Sequence, residues 1–184
     1  LKGKFLVLNG DNLYHRNDLK KLVLHEFAIL INHVENPKIF GIVNTKENLV
    51  ESIEEKPENP KSNMANTGAY VFDDRIFEHE LVETKRGEFE ITDYVNFLIE
   101  NFEVHFEIVK NYWISVGYSW DVIFANEIFI EKIEKSEIKG VVEEGAVIKG
   151  EIILGKNSVI KSGVYIEGPV VIGENCIIGP NCYI

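Results

Sequence analysis

The chain has 184 residues, 45% of them hydrophobic, which is enough for a buried core in one or two domains. Its formal net charge is −11, from 19 Lys+Arg against 30 Asp+Glu. An acidic surface repels phosphate backbones and argues against nucleic acid as a partner. No apolar run approaches the length of a bilayer span, so no membrane partner is expected. The two cysteines, Cys176 and Cys182, are too few for a disulfide-stapled secreted scaffold, and the expected location is cytoplasmic. No signal peptide is visible, and because the chain opens on Leu1 the natural N-terminus is expected elsewhere.

Phe5-Leu6-Val7-Leu8 is a short apolar run before Asn9-Gly10-Asp11, and it predicts a buried strand ending in a polar turn. Asp18 is placed to cap a helix whose apolar positions are Leu19, Leu22, Val23, Phe27, Leu30 and Ile31. Strands are expected over Ile39–Val43, Leu49–Glu55, Gly68–Phe72 and Val104–Val109, with a loop marked by Pro57 and Pro60. Helices are expected over Ile76–Val82, Ile91–Glu100 and Trp120–Ile133. Strands interleaved with helices predict an α/β layer architecture.

From Val142 the rhythm changes to a period of six. Val142, Ile148, Leu154, Ile160, Ile166, Ile172, Ile178 and Ile184 are all aliphatic. Chance would give that in any of six phases on the order of once in a thousand or less. A six-residue period is that of a β-helix, in which each short strand sends one aliphatic side chain inward and three strands make a triangular coil. The fifth position of each repeat holds Ala146, Ile152, Ser158, Val164, Val170, Cys176 and Cys182, mostly small, as a tight inward corner needs. Both cysteines are therefore expected to be inert packing residues rather than a disulfide or a metal site. The repeat reaches Ile184 without a cap, so more chain or a covering partner is expected there.

Taken singly, the polar motifs of the first part read as turns and solvated loops. In order they form a pattern: Leu-Asn-Gly-Asp at residues 8–11, Phe-Gly-Ile-Val at 40–43, Glu-Glu-Lys-Pro at 54–57 and Ala-Asn-Thr-Gly-Ala-Tyr-Val-Phe at 65–72. Gly87-Glu88-Phe89-Glu90-Ile91-Thr92-Asp93 and Trp113-Ile114-Ser115-Val116-Gly117-Tyr118-Ser119-Trp120-Asp121 extend it. This series resembles the sugar-1-phosphate nucleotidylyltransferases, among them the glucose-1-phosphate thymidylyltransferases and the bifunctional N-acetylglucosamine-1-phosphate uridylyltransferases.

The resemblance implies residues 1–135 as the C-terminal portion of a partly Rossmann-like nucleotidyltransferase domain, and residues 142–184 as a left-handed parallel β-helix that trimerises. It implies transfer of a nucleotidyl group from dTTP or UTP to glucose- or N-acetylglucosamine-1-phosphate, with Mg²⁺ as cofactor. Asp11 would bind the metal, with Lys56 on the sugar phosphate. Glu55 would accept from sugar hydroxyls, Asn66 would bond the sugar or its N-acetyl group, and Gly41 would admit the sugar close to the backbone. Asn12 is a further candidate contact to sugar or phosphate. The family's second metal carboxylate falls at Ser115, a weaker neutral ligand. Asp121 is read as a helix-start carboxylate rather than its substitute.

The family's Gly-rich triphosphate loop is absent from these residues, so the chain by itself is expected to be inactive and the protein from which it comes active. Ser115 leaves open a non-catalytic regulatory or assembly homologue. None of the five histidines (His15, His25, His33, His79 and His105) lies in the repeats, so acetyl transfer finds no general base there, and a bifunctional enzyme with its acetyltransferase site in further coils is the other alternative.

Overall fold

The computed structural model describes residues 2–83 and 87–184. They form two compact units, one running to Gly117 and the other from Tyr118 to Ile184.

The first unit is organised around its most apolar segment. In order it contains β1 (Phe5–Leu8), β2 (Asn12–Tyr14), α1 (Arg16–Leu22), β3 (Ala28–His33), β4 (Gly41–Lys46), β5 (Leu49–Glu55), β6 (Met64–Phe72), α2 (Ile91–Asn101), β7 (His105–Ile108) and β8 (Trp113–Ser115). β3 is central because both its faces are covered. Ile29 and Ile31 join Val43, Ile53, Tyr70, Val95 and Leu98 in the core beneath α2. Ala28 and Leu30 face the other way, against Leu22 of α1 and Ala69 and Val71 of β6. Alternate residues of a strand point to opposite faces, so burial on both sides demands an unbroken apolar run.

That run explains one correction. The expected helix from Asp18 through Ile31 stops at Leu22, and Phe27, Leu30 and Ile31 belong to the approach and body of β3. A run that is apolar throughout satisfies helical spacing as readily as strand spacing, so its period does not discriminate. Nor does Asp18 cap the helix. His15 does, accepting from Asn17 N through Nδ1 at 3.2 Å. Asp18 is 2% exposed and binds the segment before β8 instead. Its Oδ1 accepts from Lys110 N at 3.3 Å and Asn111 Nδ2 at 2.9 Å, and its Oδ2 from Asn111 N at 3.1 Å.

Six strands form one mixed sheet in the order β1-β6-β3-β7-β5-β4, and only β3 and β7 run parallel. The sheet curls until β4 also meets β6, with Ile42 opposite Ala65. This closure brings Gly41, Glu55 and Asn66 together, since Gly41 is the register partner of Glu55. β2 and β8 form a separate antiparallel ribbon that sequence patterning missed, with Asn12 opposite Ser115 and Tyr14 opposite Trp113. Three-residue strands are too short to carry a period.

The strand expected over Ile39–Val43 begins at Gly41 and continues to Lys46, because Pro37–Ile39 form a 3-10 turn. Leu49–Glu55 and the loop at Pro57 and Pro60 are as expected, and the strand at Gly68–Phe72 starts earlier, at Met64. The helix expected over Ile76–Val82 is only a 3-10 turn, Asp74–Glu78, capped by Asp73. Beyond it His79 is extended, and Asp93 holds the chain through His79 Nε2 at 3.0 Å and Val82 N at 3.4 Å. Those bonds compete with continuation of a helix.

In the second unit α3 (Ser119–Ile130) precedes a β-helix whose first strand is Glu137–Ile138, before the six-residue rhythm becomes readable. Asp121 sits in its first turn and accepts from Tyr118 N at 2.8 Å, as expected of a helix-start carboxylate. Most strands pair in parallel with those 18 residues on, such as Val141, Val159 and Ile177 in one column. The first coil is two residues shorter, Ile138 pairing with Leu154. Leu154, Ile160, Ile166 and Ile172 point inward from the three faces and are buried, with Val142, Ile148 and Ile178 packed partly buried against them. Ile152, Ser158 and Val164 are buried at the corners. Ser158 links coils there, donating to Gly173 O at 2.6 Å and accepting from Cys176 N at 3.0 Å. Cys176 packs against the core, but Cys182 is exposed, since nothing in this chain stacks on its coil. Both thiols are free.

The residues just before the inward positions point outward and are also apolar. They run Val141, Val147, Ile153, Val159, Tyr165, Val171, Ile177 and Tyr183, with Ile177 67% and Val141 57% exposed. An outer surface so rich in β-branched and aromatic residues is unusual for a face left in water.

Candidate active site

All seven residues singled out in the sequence line one cavity of about 440 Å³ in the first unit: Asp11, Asn12, Gly41, Glu55, Lys56, Asn66 and Ser115. Three local structures deliver them. β1 ends at Leu8, and the turn that follows places Asp11 at the strand's end, its carbonyl accepting from Val116 N at 2.8 Å. The β2–β8 ribbon then sets Asn12 opposite Ser115. The curled sheet supplies Gly41, Glu55 and Asn66 from adjacent strands.

Lys56 closes β5 in a left-handed conformation, φ 46°, although it is not glycine. A backbone bond from Lys56 N to Phe40 O at 3.1 Å holds it there. Strained backbone of this kind concentrates at functional sites. Its Nζ lies 3.8 Å from Glu55 Oε1 and is half exposed, so the pair contributes little to stability and leaves the ammonium accessible. Gly41 also lies against the carboxylate of its register partner. A Cβ there would lie 2.7 Å from Glu55 Oε2. A side chain there would push the Glu55 carboxylate from its present place in the cavity.

β6 is bonded to the ribbon through Tyr14, whose hydroxyl donates to Thr67 O at 2.8 Å. Burial pushes the Tyr14 phenol up to about 12, against the lowering effect of its hydrogen bonds, so it remains a protonated donor at ordinary pH. Gly68 turns the strand at φ +77°, where a Cβ would strike the Asn9 side chain.

Several lining residues were not singled out from the sequence. Trp113, used there only as a motif marker, forms a wall with Phe40, their rings 5.5 Å apart and edge to face. Its Nε1 is buried and has no hydrogen-bond partner among the described residues, and the same holds for Asn12 Oδ1. A buried donor and a buried acceptor left unmatched at a cavity wall are costly unless a ligand or water completes them. Glu88, Glu90, Thr92 and Tyr70 also line the cavity. Glu88, Glu90 and Thr92 stood inside a quoted motif, but no pattern in the sequence says which of its side chains face inward.

Lys56 is the single Lys or Arg among the described lining residues, against the carboxylates Asp11, Glu55, Glu88 and Glu90. Among the described residues no group of three or more His, Cys, Asp or Glu is arranged to hold a metal ion. The donor set fits a hard divalent cation bound by one carboxylate, with the remaining ligands from water and a ligand's phosphates, rather than a closed protein cage.

The fold and this cavity define a nucleotidyl transferase domain followed by hexapeptide repeats. The nucleotidyl transferase family pattern matches residues 2–132 and the bacterial transferase hexapeptide pattern residues 151–184, and the chain belongs to the nucleotidyl transferase family. It is similar to the bifunctional protein GlmU of Methanocaldococcus jannaschii, 47% identical over 98% of this chain and 45% of that protein. It is also similar to a bifunctional sugar-1-phosphate nucleotidylyltransferase/acetyltransferase of Sulfurisphaera tokodaii, 37% identical over 97% of this chain and 46% of that one. The chain thus spans about half the length of these curated relatives. A crystal structure from Bacillus anthracis, assigned as a glucose-1-phosphate thymidylyltransferase and in complex with a sucrose, superposes with a TM-score of 0.59. Its identity is 29%, over 69% of this chain and 55% of that one.

Proposed function

We propose that the full-length protein is a sugar-1-phosphate nucleotidylyltransferase that joins a nucleoside triphosphate, dTTP or UTP, to glucose- or N-acetylglucosamine-1-phosphate and releases pyrophosphate. The observation that carries this reading is the convergence of the seven residues on one cavity. On this reading residues 1–135 are the sugar-binding portion of a Rossmann-like transferase domain, and residues 142–184 a left-handed β-helix.

The reaction sets an oxygen of the sugar-1-phosphate against the α-phosphorus of the triphosphate. Two anions must approach in line, so charge neutralisation and positioning dominate. Lys56 binds the sugar phosphate from its accessible edge, and Glu55 accepts from sugar hydroxyls. Asn66 bonds the sugar or its acetamido group, and Asn12 is a further contact to sugar or phosphate. Asp11, with weaker help from Ser115, holds Mg²⁺. When bound, that ion neutralises the phosphate charge that one lysine leaves uncovered. Lys56→Ala in the full-length protein is expected to raise the KM for sugar-1-phosphate by about tenfold while leaving the KM for the triphosphate within twofold. Steady-state kinetics with each substrate varied in turn checks this.

The deciding experiment is pyrophosphate release by the full-length protein with Mg²⁺ across a panel of triphosphates and sugar-1-phosphates. Release with one or two pairs establishes the activity and its substrates. Silence from a folded protein favours a regulatory homologue in which Ser115 marks a degenerate site. The bifunctional names of the relatives favour a second activity, acetyl transfer, whose site would lie outside these residues.

Cytoplasmic location is part of this proposal. No helix among the described residues is long and apolar enough to cross a membrane. The apolar outward columns of the β-helix support self-association through it. Light scattering on the full-length protein is expected to give a trimer, and a monomer would rule out that role.

A further inference from the structure

Asn66 and Tyr70 lie four residues apart on β6, on either side of the turn at Gly68, and both line the cavity. The amide of Asn66 is held at both ends. Gly68 N donates to its Oδ1 at 3.1 Å, and its Nδ2 donates to Tyr70 Oη at 2.6 Å. A backbone N–H can only donate, so Oδ1 must face Gly68 and the NH₂ must face the phenol. Tyr70 itself is 1% exposed, its ring 5.2 Å from that of Phe72 and stacked on it at 19°. Burial, reinforced by the nearby Glu55 charge and opposed by the Asn66 bond, holds its phenol far above the ordinary tyrosine value. It therefore stays neutral and keeps its own proton to donate.

From this we infer that Tyr70 is a positioning residue that pins the NH₂ of Asn66, in the order Gly68 sets, where a sugar phosphate meets it. This role presupposes the sugar-phosphate site proposed above. Without the phenol oxygen the amide keeps one anchor, at Gly68, and its NH₂ loses the other. With it, one N–H and one lone pair of Asn66 are presented to the cavity in a set order. A sugar substituent that offers the complementary acceptor and donor is selected, and an amide left to swing on its Gly68 anchor alone would select it less well.

Tyr70→Phe removes a single atom and keeps the ring packing. In the full-length protein it is expected to raise the KM for sugar-1-phosphate about five- to tenfold, the worth of one hydrogen bond. The KM for the triphosphate and the thermal midpoint stay close to wild type. In an Asn66→Ala background the same Tyr70→Phe change is expected to add less than a further twofold, because the residue it positions is gone. In amide spectra of the ligand-free protein, the two Asn66 side-chain proton signals, identified by their loss in Asn66→Ala, should shift on Tyr70→Phe. An unchanged KM in Tyr70→Phe, or an equal penalty in both backgrounds, would overturn the positioning role alone. Failure of wild type to bind any sugar-1-phosphate by calorimetry would remove the transferase reading, and this role with it.

Discussion

Asp11→Ala in the full-length protein is expected to lower nucleotidyl transfer by on the order of 10²–10³ or more, with the fold intact. The cavity where two phosphate esters would meet is lined by more carboxylates than cations. Without a divalent ion, such a wall repels the ligands it is proposed to bind. Asp11 stands in the turn just before β2, fixed by its own backbone bond to Val116, and Ser115 on β8, the partner strand of β2, brings no charge to share the task. The loss should therefore be steep and poorly rescued by Asp11→Asn, which keeps the shape and removes the charge. Pyrophosphate release under saturating substrates measures the rate, and Mn²⁺ titration followed by magnetic resonance measures the metal. A variant that turns over like wild type would refute the assignment of Asp11 to the metal.

The second large effect is on stability. Asp18→Ala is expected to cost about 2–3 kcal/mol, because it removes a buried carboxylate that accepts three hydrogen bonds from the otherwise exposed Lys110 and Asn111. The loss should extend to the site, since the segment Asp18 holds leads directly into β8 with Trp113 and Ser115. Urea unfolding of variant and parent, compared at equal slopes, reads the difference. A loss below about 1 kcal/mol would show that the turn finds other partners.

The two effects differ in how visible they were in the sequence. Asp11 stands in a Gly-Asp after an apolar run, a local signal. Asp18 reads locally as a helix cap, and only the fold reveals that its partners lie more than ninety residues away. Tyr70 shows the same divide. It reads as a strand residue of the core and is one, but its hydroxyl also reaches the cavity and restrains Asn66.

Local rules determined a good deal. The aliphatic period of six specified the inward-facing residues of the β-helix, because one side chain per short strand must point inward whatever the rest of the chain does. The bounds of β5 and the position of α2 followed from turn residues and apolar spacing. The order of the polar motifs identified the family and seven cavity residues. Tertiary structure decided the remainder. An apolar run covered on both faces has no period, so only the packing of α1 and α2 makes β3 a strand. Strands as short as β2 and β8 exist because they pair with each other, not because their residues demand it. Gly41 lies against a carboxylate on the adjacent strand, and the order in which Asn66 presents its amide is set by Gly68 N, with a buried phenol holding the NH₂. In each case the determining contact is made across the sheet, where spacing along the chain carries no information about distance in space.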